Sequence, residues 1–112
     1  MKKVEAIIRP ETLEPLKDAL LEAKVDGLTI HQVLGCGKQH GWTEYHRGSN
    51  VLMNTLNKVE IMLVITDDRL EEIIKIITDI ARTGEVGDGK IFITDIADCI
   101  RIRTGERGNK AI

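Results

Sequence analysis

The chain has 112 residues, 42% of them hydrophobic and 30% charged, which suits one domain with a modest core. A formal net charge of −2 argues against a nucleic-acid module driven by counterion release, while leaving room for a local cationic pocket. No apolar run approaches the ~20 residues of a membrane span, and the start MKKVEAIIRP is too short and too charged for a signal peptide. The expectation is a soluble, cytoplasmic protein.

Lys2–Arg9 alternates, with Val4, Ala6 and Ile8 on one face, and reads as a strand that Pro10 stops. Thr12 is the expected N-cap of a helix in which Pro15 is tolerable because it falls in the first turn. Leu13, Leu16, Ala19, Leu20 and Ala23 repeat at helical spacing, and Gly27 follows the expected helix end. Leu28–Leu34 reads as a second strand. A polar stretch from Gly37 to Asn57 follows, too long for a hairpin turn and carrying the only Trp and Tyr of the chain. Lys58–Thr66 reads as a third strand, with Val59, Ile61, Leu63 and Ile65 on one face. Asp67 and Asp68 supply a cap and favourable charge for a second helix, whose stripe is Leu70, Ile73, Ile74, Ile77, Ile80 and Ala81. A glycine-rich turn, Thr83–Gly89, precedes a fourth strand, Lys90–Ile96, and a short cationic tail ends at Ile112.

Two strand–helix–strand halves joined by a long loop spell a ferredoxin-like βαββαβ sandwich of the α+β class, one domain over 1–112. Both helices lie on one face of such a sheet. The other face is not cleanly polar, because Met62, Val64 and Phe92 fall on it. A second copy of the chain is the expected cover, so a homo-oligomer is predicted. Cys36 and Cys99 form no framework and read as two reduced thiols.

The glycine turn carries the most informative chemistry. Gly84, four residues and Gly89-Lys90 approach a P-loop, but Ile91 stands where a magnesium-binding Ser or Thr is needed. The order is also inverted, since this turn leaves a helix and enters a strand. A P-loop enzyme is rejected. Gly87 and Gly89 still suit an anion-binding nest, with Lys90 as a point charge. Arg101 and Arg103 are two apart, so an extended tail would project both to one side. A plain tight turn with surface arginines accounts for the same residues, and spacing alone does not choose between the two.

TGEVGDGKIFI, with IRIRTGERG behind it, resembles the PII nitrogen-regulatory signal proteins. The resemblance runs the whole chain, through KKVEAIIRP, GKQHG, Lys58 and the closing AI. It implies a ferredoxin-like trimer that binds ATP or ADP in clefts between subunits and 2-oxoglutarate together with Mg-ATP. It implies signalling rather than catalysis, by docking on nitrogen-assimilation proteins such as an ammonium channel, enzymes or regulators.

By that resemblance Gly87, Asp88, Gly89 and Lys90 form a nucleotide loop over 82–90, and Arg101 and Arg103 of the basic 101–112 segment reach the phosphates. Thr29 and Val64 contact the adenine end. Gly37, Lys38 and Gln39 join the nucleotide set, with Lys38 where arginine is common. Gln39 ligates magnesium. Gln39, His40 and Gly41 hold 2-oxoglutarate through a largely backbone contact, and Lys58 pairs with its distal carboxylate. Met62 departs from a common glutamate, which puts one polar contact of the adenine or ribose end in question.

The 37–57 loop then becomes the partner-binding element, with Trp42, Tyr45 and Arg47 as contacts. Many relatives carry a nucleotidylylated tyrosine near its tip. Here HRGSNV places His46 at the first tyrosine, Asn50 at the acidic residue and Val51 at the modified tyrosine, so that modification is chemically excluded at Val51. Ser49 is retained where some relatives are phosphorylated, although an unmodified loop serine also fits. His31, His40 and His46 show no compelling metal spacing. Asp67, Asp68, Glu71 and Glu72 are explained by a helix start rather than catalysis. Two alternatives to a gated signalling trimer remain: a slow ATPase or phosphotransferase, and a similar trimer sensing another metabolite.

Overall fold

The structure is a computed structural model and describes residues 1–36 and 55–112. Its elements run β1 (Lys2–Ile8), α1 (Leu13–Glu22), β2 (Thr29–Cys36), β3 (Thr55–Ile65), α2 (Leu70–Ala81) and β4 (Lys90–Asp95). Short 3-10 turns at Pro10–Thr12 and Asp67–Arg69 lead into the two helices. The four strands form one sheet in the order β2-β3-β1-β4, with every neighbouring pair antiparallel. This is the expected ferredoxin-like α+β arrangement.

The core lies between the helices and the two central strands. Val4, Ala6 and Ile8 of β1 and Val59, Ile61, Leu63 and Ile65 of β3 are buried against Leu16 and Leu20 of α1 and Ile73, Ile77 and Ala81 of α2. Strand alternation puts these seven β residues on one face, and the helical 3-to-4 spacing gathers the other five. Register fixes the fit: Val4 pairs with Leu63 and Ala6 with Ile61. A one-residue slip would turn the whole set to the opposite face. The outer strands contribute no buried hydrophobic side chain.

Four expectations need correction. Thr12 caps nothing with its side chain; its hydroxyl donates back to the Arg9 carbonyl at 2.8 Å, closing the lead-in turn. Asp67 likewise makes no helix cap, and instead pairs with the Met1 amino group at 2.8 Å, which lowers its carboxyl pKa. Helix α1 ends well before Gly27. Lys24 takes the left-handed conformation at φ 62°, with Lys24 N–H donating to Leu21 O and Val25 N–H to Leu20 O, the paired bonds of a Schellman ending. Lastly, β2 runs on to Cys36 and β3 begins at Thr55, so Thr55–Asn57 belong to a strand. Ladder pairing of Gly35 with Leu56 and Cys36 with Thr55 holds this extension, which burial patterning does not mark.

Candidate functional site

The turn joining α2 to β4 is built on glycine. Gly84, Gly87 and Gly89 have φ of 90°, 105° and 101°, where a side chain is strained. Gly89 also lies against β1, and a Cβ there would fall 1.6 Å from the Ile7 carbonyl oxygen. Asp88 organises the turn from inside. Its carboxylate accepts from Thr83 N–H at 2.8 Å, Gly84 N–H at 2.9 Å and the Thr83 hydroxyl, and Arg9 lies 3.3 Å away. Those bonds, the Thr83 hydroxyl's foremost, hold its pKa far below the usual carboxylate range.

Two cations grip consecutive carbonyls of the turn. Arg9 Nη2 donates to Val86 O at 2.9 Å, and Lys58 Nζ donates to Gly87 O at 2.7 Å. The backbone N–H groups of Gly87, Asp88 and Gly89 find no acceptor among the described residues. That is the polarity an anion nest requires: carbonyls bound on one side and donors left for a ligand. Lys58 is 7% exposed, its stem pressed over Gly35, and its pKa is lowered by burial first and then by the nearby Arg9 charge.

The turn borders a cleft of about 530 Å³ that also takes in Ile7, Gly35, Cys36, Lys58, Lys90 and Phe92. Lys58, Lys90 and Phe92 share the sheet face away from the helices, as the pairings of Ile7 with both Glu60 and Lys90 require. A second cleft of about 410 Å³ opens at the other end of the sheet, bordered by Gly27, Thr29, Met62, Val64, Cys99 and Asn109. Lys58 and Val64 both lie on β3, six positions apart, or about 20 Å at strand spacing. Thus Lys58, Gly87, Asp88, Gly89 and Lys90 come together in one cleft, and Thr29 and Val64 in another.

Arg101 and Arg103 line neither cleft. The expected extended tail is corrected here: Ile100 bridges Arg107, and Gly105 N–H closes onto Arg101 O at 2.7 Å, making a turn. Asp98 staples it, accepting from Cys99 N–H at 2.8 Å and from the Arg107 guanidinium, which lowers its pKa. Arg101 pairs with Glu106 at 3.0 Å, while Ile102 stands 98% exposed at the tip. Cys36 and Cys99 are free thiols in different clefts. Gly37, Lys38, Gln39, His40, Gly41, Trp42, Tyr45, His46, Arg47, Ser49, Asn50 and Val51 lie outside the described residues. Arg9 and Asp98 carried no sequence signal, because their partners stand far off along the chain or in an unforeseen turn.

Residues 1–106 match the family model described as nitrogen regulatory protein P-II. The chain belongs to the P-II family of nitrogen regulatory proteins. P-II proteins of Rhodospirillum rubrum and Nostoc punctiforme are 49% and 46% identical to it, each over all of both chains. Among solved P-II structures, that of B. subtilis GlnK superposes with a TM-score of 0.84 at 37% identity, covering 99% of this chain and 97% of the other. The B. subtilis GlnK-ATP complex gives 0.83 at 33% identity, covering 99% and 96%. No helix among the described residues is long and apolar enough to cross a membrane.

Proposed function

We propose that this P-II chain is a non-enzymatic, ligand-gated regulator that binds ADP or ATP and, with Mg-ATP, 2-oxoglutarate. The observation that carries the reading is the glycine turn, whose carbonyls are held by Arg9 and Lys58 while Lys90 enters the same cleft. This is a setting for a polyphosphate. The GlnK-ATP relative supports the choice of nucleotide. Thr29 and Val64 would meet the adenine end in the other cleft. Since the two clefts stand at opposite ends of one sheet face, a complete site needs a second copy, which favours assembly as a homotrimer with Arg101 and Arg103 arriving from the tail.

Asp88 has its oxygens bound to Thr83, Gly84 and Arg9, so it suits a loop brace better than a metal ligand. Magnesium would rest on phosphate oxygens and Gln39, in keeping with its preference for few protein ligands. The ion lends a chelating point to an α-keto acid. Lys58 supplies the opposite charge, and Gln39, His40 and Gly41 the enclosing backbone. Lys58 stands on β3 three residues past the strand's start at Thr55, so occupancy there would bias the 37–54 segment that precedes it toward or away from partners. The partners would be nitrogen-metabolism proteins such as an ammonium channel or assimilation enzymes, met through Trp42, Tyr45 and Arg47, with Ser49 as a candidate modification site.

Calorimetry with ADP, ATP and 2-oxoglutarate, beside steady-state turnover, tests the reading. Expected are nucleotide binding with negligible turnover, and 2-oxoglutarate affinity only when Mg-ATP is present. Lys58→Ala should remove at least about tenfold of the 2-oxoglutarate affinity, and less of the ADP affinity. Oxoglutarate binding that ignores Lys58, or sustained ATP turnover, would overturn it.

A further inference from the structure

We infer that Arg9 is a positioning residue for the phosphate-binding turn, setting the direction of its backbone donors without touching the ligand. The inference rests on the nucleotide reading of the cleft. Arg9 is the last residue before Pro10, and its backbone is extended at φ −68°, ψ 142°, as a residue before proline prefers. That geometry is fixed by local chain sterics and launches the side chain from the end of β1 toward a turn 77 residues further on. The guanidinium then makes two kinds of contact there. Nη2 donates to Val86 O at 2.9 Å, and the same nitrogen sits 3.3 Å from Asp88 Oδ1, with side chains 22% and 23% exposed.

The two contacts act on opposite ends of one device. The Val86 carbonyl is pulled toward β1, and with it the neighbouring Gly87 carbonyl toward Lys58. Asp88, steadied by Arg9, draws in the N–H groups of Thr83 and Gly84. Both ends of the turn are therefore fixed, and the peptide groups between them, Gly87 to Gly89, keep their N–H groups unspent among the described residues. A turn with φ above 100° at two glycines has many alternative conformations when unbraced. Without Arg9 the donors would have to be ordered at the expense of ligand affinity. Lysine cannot substitute fully, because one point charge does not replace a planar fork that serves a carbonyl and a carboxylate together.

The test compares the unaltered chain with Arg9→Met and Arg9→Lys. For Arg9→Met, ADP affinity by calorimetry should fall roughly tenfold, with the thermal midpoint little changed. Hydrogen exchange without ligand should show lost protection at the Thr83 and Gly84 amides, while the central strands stay protected. Arg9→Lys should remain clearly weaker than the unaltered chain. Full recovery by Arg9→Lys would mean that charge alone matters and would overturn the inference, as would unchanged ADP affinity in Arg9→Met. Failure of the unaltered chain to bind ADP would instead overturn the nucleotide reading, and this inference with it.

Discussion

Gly84 and Gly89 share a similar positive φ, 90° and 101°, yet they answer different demands. At Gly84 a Cβ would meet nothing within 4 Å, so only the positive φ resists substitution. At Gly89 the Cβ would also collide with the Ile7 carbonyl at 1.6 Å. Backbone strain at a left-handed position costs about 1–2 kcal/mol, and that is the expected loss for Gly84→Ala. Gly89→Ala cannot relax without moving β4 off β1, and should cost more than about 4 kcal/mol. Urea denaturation of the two variants measures the difference; equal losses would show that β4 shifts freely at its start. The spacing of Gly87, Gly89 and Lys90 was legible in the sequence, since glycine advertises its own conformational use. The contact that makes Gly89 obligatory was not, because Ile7 enters it only through tertiary pairing. The same holds for Asp88, whose residue type suits a ligand contact and a loop brace equally until Thr83 and Arg9 are seen around it.

At the scale of elements, both helices and the central strands β1 and β3 are legible from periodicity, because their core residues keep strict spacing. The outer strands bury no hydrophobic side chain and show only as short segments between turn signals. The misreadings fall where pairing or capping, rather than burial, sets a boundary. β2 and β3 extend as a ribbon whose outermost residues, such as Leu34 and Leu56, remain exposed. Helix α1 stops on Lys24 rather than at a glycine, and Arg69 reinforces that ending by donating to Ala23 O at 2.5 Å and Lys24 O at 3.4 Å. Lys24 therefore bears the left-handed penalty that glycine would avoid. Glycine loses more backbone entropy on folding, which offsets part of the gain. Lys24→Gly should stabilise the chain by about 0.5–1 kcal/mol, seen as a higher denaturant midpoint with an unchanged slope. A lower midpoint would show that the lysine stem contributes packing that outweighs its strain.

For the molecule as a whole, the two faces of the sheet are unequal. One face is closed by α1 and α2. The other carries the Lys3–Glu5 pair at 3.3 Å and the His31–Glu60 contact at 3.4 Å beside Ile7, Met62, Val64 and Phe92, with Phe92 51% exposed. Such a mixed surface departs from the clean alternation of a sheet solvated on one side, which is the ground for expecting a second copy over it. One cleft borders each end of this face, so on the proposed reading a second copy covering it would bury the apolar residues and bring the two clefts together. Assembly and nucleotide binding should then be linked, each strengthening the other. Burying a phenylalanine contributes about 1.5–3 kcal/mol, so Phe92→Asp should weaken self-association by at least about tenfold. Light scattering across a dilution series, with and without ADP, measures this. The unaltered chain should run as a homo-oligomer that ADP makes harder to dissociate, and Phe92→Asp should fall apart at higher concentration. A strict monomer that binds ADP at full strength would mean that one chain completes the site alone and that no second copy covers this face.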